Sequence, residues 1–438
     1  MFAYHLRLAK QSLGKQPLLT ALMIAAIAVG VGVCMTVTTF IYSVSSDPIP
    51  EKSDQLYTVR LDSWNPEEPF NDDRPDQAPW QMTHRDAIGI LDSDVPVRQA
   101  AMRKAVYTIV PENDDTTPFM VVSRMTSGDF FGLFNVPFQY GGVWDDNADA
   151  NAQNVVVIDK RTNDKLFGGE NSVGQDIQFG DERFRITGVL AEWEPKVLYY
   201  DVNNGPLNSV EDVFMPFSIT AEREINGSGN TNCWKDEIID TYFDLLQSEC
   251  IFVQFWAELP DEQTKAAYQD WLDQYTNAQR ELGRFGRPNN NQLTNVNDWL
   301  ELREVVSDGE RAVWAIAVLF LIACLVNTIG LVLARFVAKA PVIGLRRALG
   351  ASKLDIFRQH LVEVGLVGFI GGVIGLGLSY AGLIGVRKLL PDTAAVTSLN
   401  LELVFMTIVL AIVAAMAAGL YPTWRVCQLP PANYLKTQ

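Results

Sequence analysis

The chain has 438 residues, 48% of them apolar, and a formal net charge of −17. This composition excludes a fibrous or low-complexity protein. Charge and apolarity are both unevenly spread: residues 47–311 hold 48 acidic and 22 basic side chains, and the apolar runs outside that stretch reach the roughly 20 residues needed to cross a bilayer.

Residues 1–17 carry Phe2, Leu6, Ala9 and Leu13 at three- and four-residue spacing, with Arg7 and Lys10 off that stripe. The pattern predicts an amphipathic helix in the membrane interface. Residues 18–43 form the first span. The basic flank of Arg7, Lys10 and Lys15 suits a signal peptide, but an apolar run of about 25 residues exceeds the usual h-region, so an uncleaved anchor is expected. Ala21, Ala25, Ala28, Gly30 and Gly32 permit close helix approach. The hydroxyls of Thr36, Thr38 and Thr39 can return to the backbone.

Residues 44–311 contain no membrane-length apolar run and are expected to form a mixed α/β extracytoplasmic domain, built as two subdomains or as one composite domain. Strands are predicted over 56–61, 119–123, 154–158, 175–179, 183–190 and 251–256. Gly180-Asp181 marks a hairpin between the fourth and fifth of these. The stretch 213–216 ends in proline and resembles an edge strand. Helices are predicted over 159–167, 261–281 and 296–307, with a Gly/Pro/Asn linker at 284–291. Cys233 and Cys250 are the only cysteines in this segment. An isolated pair in an oxidising compartment favours a disulfide; two buried free thiols are the alternative.

Residues 312–334 form the second span. Asn327 lies midway along it, where an amide bonds either across a helix interface or to its own backbone. Residues 335–361 hold six Lys/Arg against one Asp, and the positive-inside rule places such a loop in the cytoplasm. Pro341 can open a turn, Gly350 can break a helix, and Ser352 stands at an N-cap position with Asp355 three residues on. The segment therefore reads as a short structured helix between two spans, placed to touch a cytoplasmic partner; a basic loop that only fixes topology is the alternative. Residues 362–386 form the third span, with small-xxx-small pairs at Gly368/Gly372 and Gly371/Gly375. Glu363 at its start is expected to pair with Arg358 or a neighbour rather than relay protons. An outer loop at 387–400, a fourth span at 401–421 and a cytoplasmic tail at 422–438 complete the chain. The three segments assigned to the cytoplasm hold 11 Lys/Arg and one acidic residue.

The sequence lacks Gly-x-x-x-x-Gly-Lys-Ser/Thr, His-Glu-x-x-His, Cys-x-x-Cys and Gly-x-Ser-x-Gly, the signatures of phosphate-binding, metalloprotease, redox and hydrolase sites. Its histidines are His5, His84 and His360. The expected topology separates His84 from the other two, so no shared metal site is predicted. The low pI says nothing about nucleic acid, because the acid sits in one soluble segment; no nucleic-acid partner is expected.

Gly344-Leu-Arg-Arg-Ala-Leu-Gly-Ala-Ser352, Ile356-Phe-Arg-Gln359, the glycine-rich span after them and Ala418-Gly-Leu-Tyr-Pro-Thr-Trp-Arg425 resemble the FtsX/MacB-type (type VII) permeases of ABC transporters. Residues 129–142 and 155–189, including Leu166-Phe-Gly168 and Val173-Gly174, resemble the periplasmic core domain of MacB-like permeases. The resemblance implies an α+β protein with four transmembrane helices and a large domain inserted after the first. It implies a bacterial inner-membrane location, with both termini cytoplasmic and the large domain periplasmic. Partners would be cytoplasmic ABC ATPase subunits that bind ATP and Mg, a second permease copy or homologue, and in some systems a periplasmic adaptor. The chain itself would be no enzyme and hold no cofactor. It would transmit motion for export of a peptide, toxin, drug or lipoprotein-like substrate. MacB carries a fused ATPase; Met1 lies only about 17 residues before the first span, so a separate ATPase is expected. Coupling to that ATPase is assigned to Gly344, Leu345, Arg346, Arg347, Leu349, Gly350, Ser352, Lys353 and Phe357. A membrane-anchored sensor whose outer domain recruits a partner, without transport, is the alternative function.

Overall fold

The computed structural model describes residues 2–111, 117–389 and 401–427, without the side chains of 2–6, 340, 347, 348, 401 and 425–427. The expected outer loop from 390 onward and the tail from 428 onward lie outside the described residues. The chain divides into two compact units, Asp47–Val305 and the combination of Met1–Ser46 with Val306–Gln438.

The second of these is helical: α1 (Phe2–Gly14), α2 (Pro17–Ser45), α3 (Asp308–Ala348), α4 (Lys353–Leu389) and α5 (Leu401–Cys427). Four of the helices are long and apolar enough to cross a membrane, over Pro17–Ser45, Asp308–Lys339, Lys353–Leu389 and Glu402–Trp424. At 1.5 Å per residue, the 41 residues of α3 extend about 60 Å, twice the roughly 30 Å of bilayer hydrocarbon. The sequence suggested a separate helix between two spans. Instead α3 runs unbroken through Pro341 to Ala348, α4 begins at Lys353, and the basic segment is mostly the projecting ends of these rods. Proline inside a helix removes one backbone donor without ending the helix when neighbouring packing holds it; here Ile343 is buried in the bundle core and Phe336 lies in the same cluster one turn before the proline.

Glycine sets the close approaches of α4. A Cβ on Gly368 would lie 2.5 Å from the Ala415 Cβ, and one on Gly372 would lie 2.7 Å from the Ala411 Cβ, both on α5. A Cβ on Gly371 would meet Ile27 Cγ2 at 2.8 Å, and one on Gly375 would meet the Ala28 carbonyl at 3.0 Å, both on α2. The two small-residue pairs thus serve two different neighbours, and α4 is wedged between them. Gly385 has open space around it. Gly368→Ala is expected to destabilise the bundle by about 1–3 kcal/mol through overpacking, whereas Gly385→Ala is expected to be neutral or stabilising by up to about 1 kcal/mol through helix propensity. Thermal unfolding of the two variants in detergent checks this difference.

Asn327 reaches neither of its two expected kinds of partner within the described residues of this chain. Its side chain is exposed on α3, and among the described residues it bonds neither a neighbouring helix nor its own backbone. Its α3 neighbours Ile322, Val326 and Phe320 also point outward, so the amide lies on the face turned to lipid or to another protein. Of the three threonines, Thr36 donates to the Gly32 carbonyl at 2.8 Å, while Thr38 accepts from the Trp314 indole of α3 at 3.2 Å.

The unit Asp47–Val305 is built on a ten-stranded sheet. In chain order the strands are β1 (Leu56–Arg60), β2 (Arg98–Ile109), β3 (Phe119–Thr126), β4 (Phe138–Gly141), β5 (Val155–Ile158), β6 (Asp176–Phe179), β7 (Glu182–Leu190), β8 (Val213–Pro216), β9 (Gln254–Glu258) and β10 (Gln292–Asn295). Their spatial order is β10-β1-β9-β2-β3-β8-β5-β7-β4, with β6 against β2 and β7. β3 pairs with β8 in parallel and β5 with β7 in parallel; the other ladders are antiparallel. The predicted hairpin is present as β6 and β7. The stretch 213–216 is an interior strand, not an edge. All four residues are buried between β3 and β5, and Pro216, the last of them, ends the β3 ladder opposite Thr126, where a missing donor costs least.

Two buried clusters cover the sheet, one around Val59, Phe184, Met215 and Phe255 and one rich in Phe130, Phe134, Tyr199, Tyr200 and Trp256. Arg124 of β3 is fully buried. Its guanidinium meets the carboxylates of Asp201 and Glu211 and donates to Gln254 Oε1 at 3.3 Å. The Tyr200 hydroxyl donates to Glu211 at 3.0 Å. Cys233 and Cys250 are joined by a disulfide that spans 17 residues of sequence. By the chain-entropy relation, closing a loop of that length contributes about 3 kcal/mol.

Candidate functional site at the basic end of the membrane unit

The ends of α3 and α4 meet in a turn of four residues, 349–352. Gly350 adopts φ +99°, a conformation that only glycine takes readily. The Ala351 N–H donates to the Arg346 carbonyl at 3.0 Å, the long bond of a Schellman termination. Ser352 then caps α4: its hydroxyl accepts from the Asp355 N–H at 3.1 Å and donates to the Asp355 carboxylate at 2.6 Å, which satisfies one of the open donors of the new helix end.

Of the residues assigned to coupling, Leu345 (53% exposed), Leu349 (79%) and, between them, Arg346 face outward, together with Val342 and Leu354. Lys353 is exposed as well, Phe357 is half-buried and Gly344 is buried. The Arg347 side chain lies outside the described residues. Arg346 Nη1 donates to Gln359 Oε1 across the turn at 2.9 Å. The tip therefore offers exposed leucines beside the exposed cations Arg346 and Lys353 on a capped turn.

Below the tip lies a buried ionic cluster that the sequence reading did not assemble. Arg335 and Lys339 stand four residues apart on one face of α3, and His360 and Glu363 stand three apart on α4. The Arg335 Nη2 reaches Glu363 Oε1 at 2.6 Å, and the Lys339 Nζ reaches the same oxygen at 2.9 Å. The Ser12 hydroxyl of α1 donates to Glu363 at 2.9 and 3.0 Å and accepts from Lys339. Arg335 also donates to the Ser12 carbonyl at 2.9 Å. His360 Nδ1 lies 3.4 Å from Glu363 Oε2, and the imidazole sits against the Phe336 ring at 4.5 Å. Arg335 and Glu363 are 1% exposed. Glu363 is thus paired, but with α3 and α1, not with Arg358. Five residues back on a helix of 3.6 per turn, Arg358 projects about 140° away.

The cluster ties α1 to the hairpin. Ala9 and Leu13 are buried against the bundle, and α1 packs mainly on α4. The predicted apolar stripe is therefore covered by protein at these two positions rather than laid on lipid. Ser12 could not have been singled out from sequence. The usable signal was Arg335 and Lys339 at the end of an apolar helix with one acid, Glu363, at the start of the next.

Chemically the site is a joint: charge pairs and hydrogen bonds tie α1, α3 and α4 together. Among the described residues no three His, Cys, Asp or Glu side chains gather where a metal ion could bind.

Comparison with known proteins adds the following. Residues 20–275 match the family of the MacB-like periplasmic core domain, and residues 314–431 match the FtsX-like permease C-terminal family. The macrolide export ATP-binding/permease protein MacB of Syntrophobacter fumaroxidans is 23% identical over 81% of this chain and 52% of its own length. The pyoverdine export ATP-binding/permease protein PvdT of Pseudomonas entomophila is 23% identical over 70% of this chain and 42% of its own. The chain thus spans about half the length, or less, of these curated relatives. Among solved structures, the periplasmic region of MacB from Actinobacillus actinomycetemcomitans covers 59% of this chain and 96% of its own at 14% identity and a TM-score of 0.37.

Proposed function

Because this chain belongs to the family of MacB-like core-domain proteins with an FtsX-like permease C-terminal part, we propose that it serves as the transmembrane part of an ABC transporter, coupled to an ATPase that these 438 residues do not contain. ATP and Mg are bound by that ATPase. Its docking surface is the capped turn at 349–352 with the flanking Leu345, Arg346, Arg347, Leu349 and Lys353. The single observation that supports this most strongly is the continuity of α3, which carries this tip and the ionic cluster on one rod with a membrane span. A displacement at the tip has few soft joints in which to dissipate. The tip lies in the cytoplasm, as its charge requires, with both termini on that side and the acidic unit in the periplasm. Motion of the outer unit drives export of a peptide, toxin, drug or lipoprotein-like substrate. A second permease copy or homologue covers the outward face of α3, where it supplies the partner that the Asn327 amide needs in a lipid environment; a periplasmic adaptor completes the assembly where the envelope requires one.

The double charge reversal Arg346→Glu/Arg347→Glu places like charge against whatever acidic rim the cations meet, which costs several kcal/mol. Co-purification with the cognate ATPase should fall about tenfold or more, and transport-coupled ATP turnover should fall with it. Assembly and turnover at the level of the unaltered chain would refute the docking role and leave the sensor alternative.

A further inference from the structure

A groove of about 130 Å³ opens between α1 and the bases of α3 and α4. Its polar lining is Gln11, Ser12, Lys15, Lys339, Arg346, Gln359 and His360. Three lysine and arginine side chains thus face one small space, and no acidic side chain lines it. Glu363 stands behind Lys339 and is already engaged by Arg335, Lys339 and Ser12. Lys15 makes no ion pair among the described residues. It lies near enough to Lys339 for the two charges to repel. Arg346 spends one donor on Gln359 and keeps the rest of its five. The remaining lining is apolar: Leu8 on α1, Val342 and Ile343 on α3, and Ile356 on α4. Val342 is 57% exposed.

We propose that this groove is a binding site for a phosphate group, and that an anionic phospholipid headgroup supplies it. A space of this size suits one phosphate rather than a nucleotide. Lys15, in the connection that follows α1, and Lys339 and Arg346 of α3 converge on it, and Arg and Lys together provide the directional and point-charge contacts that phosphate oxygens take. The apolar flank gives the glycerol and first methylenes of a lipid a surface to lie on. A basic pocket between helices at the membrane surface is where anionic headgroups lodge. With the phosphate seated, Lys15 and Arg346 are bridged, so α1 is clamped over the hairpin turn and the lipid becomes part of the joint.

The test is native mass spectrometry of the full chain in detergent, titrated with phosphatidylglycerol, with phosphatidylcholine and with inorganic phosphate. Phosphatidylglycerol should bind saturably and phosphatidylcholine should not. Each surface cation is worth about a fivefold change in affinity, so Lys15→Ala and Arg346→Ala should each weaken binding about fivefold and the double variant about twenty-five-fold. Both residues are exposed, so the variants should fold; circular dichroism and an unchanged melting temperature confirm it. Lys10→Ala, which lies on α1 outside the groove, should change affinity less than twofold. Inorganic phosphate that binds with the same dependence on Lys15 and Arg346, while phosphatidylglycerol does not, would support the anion site and assign it to a free ion. Equal losses from Lys10→Ala and Lys15→Ala, or no dependence on either groove cation, would overturn it. Because no ATPase takes part in the measurement, its failure is separable from failure of the docking proposal.

Discussion

Glu363→Ala should unfold or splay the base of the membrane unit more than any other single substitution there. It removes the one acid between Arg335 and Lys339 and leaves the Arg335 guanidinium, 1% exposed, without a counter-charge. Breaking one side of a buried pair costs about 3–5 kcal/mol, while replacing both sides by apolar groups of similar size is often neutral. The double variant Glu363→Leu/Arg335→Met should therefore recover most of the loss. Lys339 would remain, but it is only partly buried and can turn toward solvent. Thermal unfolding in detergent reads the stability. Limited trypsin digestion reads the joint: with Ser12 released from Glu363, cleavage after Arg7 and Lys10 should accelerate. If Glu363→Ala and the double variant melt alike, the charge pairing is not what holds α1.

The second large effect lies in the outer unit. Glu211 is completely buried. Burial alone would raise its pKa, but the charge and hydrogen bond of Arg124 outweigh that and hold it below the ordinary carboxylate value. Glu211→Gln leaves Arg124 facing Asp201 only and should cost about 3–5 kcal/mol. A depressed carboxylate also gives the pH dependence its sign. The unfolded chain takes up the Glu211 proton near pH 4.3, while the folded chain holds out to lower pH. The stabilisation is therefore complete above about pH 5 and is lost as the pH falls through the folded value. Acid unfolding followed by tryptophan fluorescence should show a limb below about pH 4 in the unaltered chain and a shallower one in Glu211→Gln. An unchanged acid limb would mean that other carboxylates govern it.

How much was legible in the sequence depended on how local the signal was. The spans and the β6–β7 hairpin announce themselves by run length and by a Gly-Asp turn. β2 did not: Arg-Gln-Ala-Ala-Met-Arg-Lys-Ala has the composition of a helix former, and only its pairing with β3 and β9 makes it the longest strand of the sheet. Propensity lost to tertiary pairing there. At the candidate site, Gly350 and Ser352 carry local meaning, because a left-handed residue and a cap are properties of a few adjacent positions. The ionic cluster has none. Ser12, Arg335 and Glu363 are drawn from three helices, hundreds of residues apart in part, and each alone looks like an ordinary interfacial residue. Pro341 was misjudged for the complementary reason: a local breaker was overruled by the packing of Phe336 and Ile343 on either side.

The proposed function requires the basic turn and the acidic unit to lie on opposite faces of the membrane, so that force applied at one would be carried through the rods to reach the other. Single cysteines at two exposed positions, Lys353→Cys and Asn151→Cys, in a Cys427→Ser background, test it with a membrane-impermeant thiol reagent. The expected result is labelling of residue 151 in intact spheroplasts and of residue 353 only after permeabilisation. Labelling of both from the same side would contradict it.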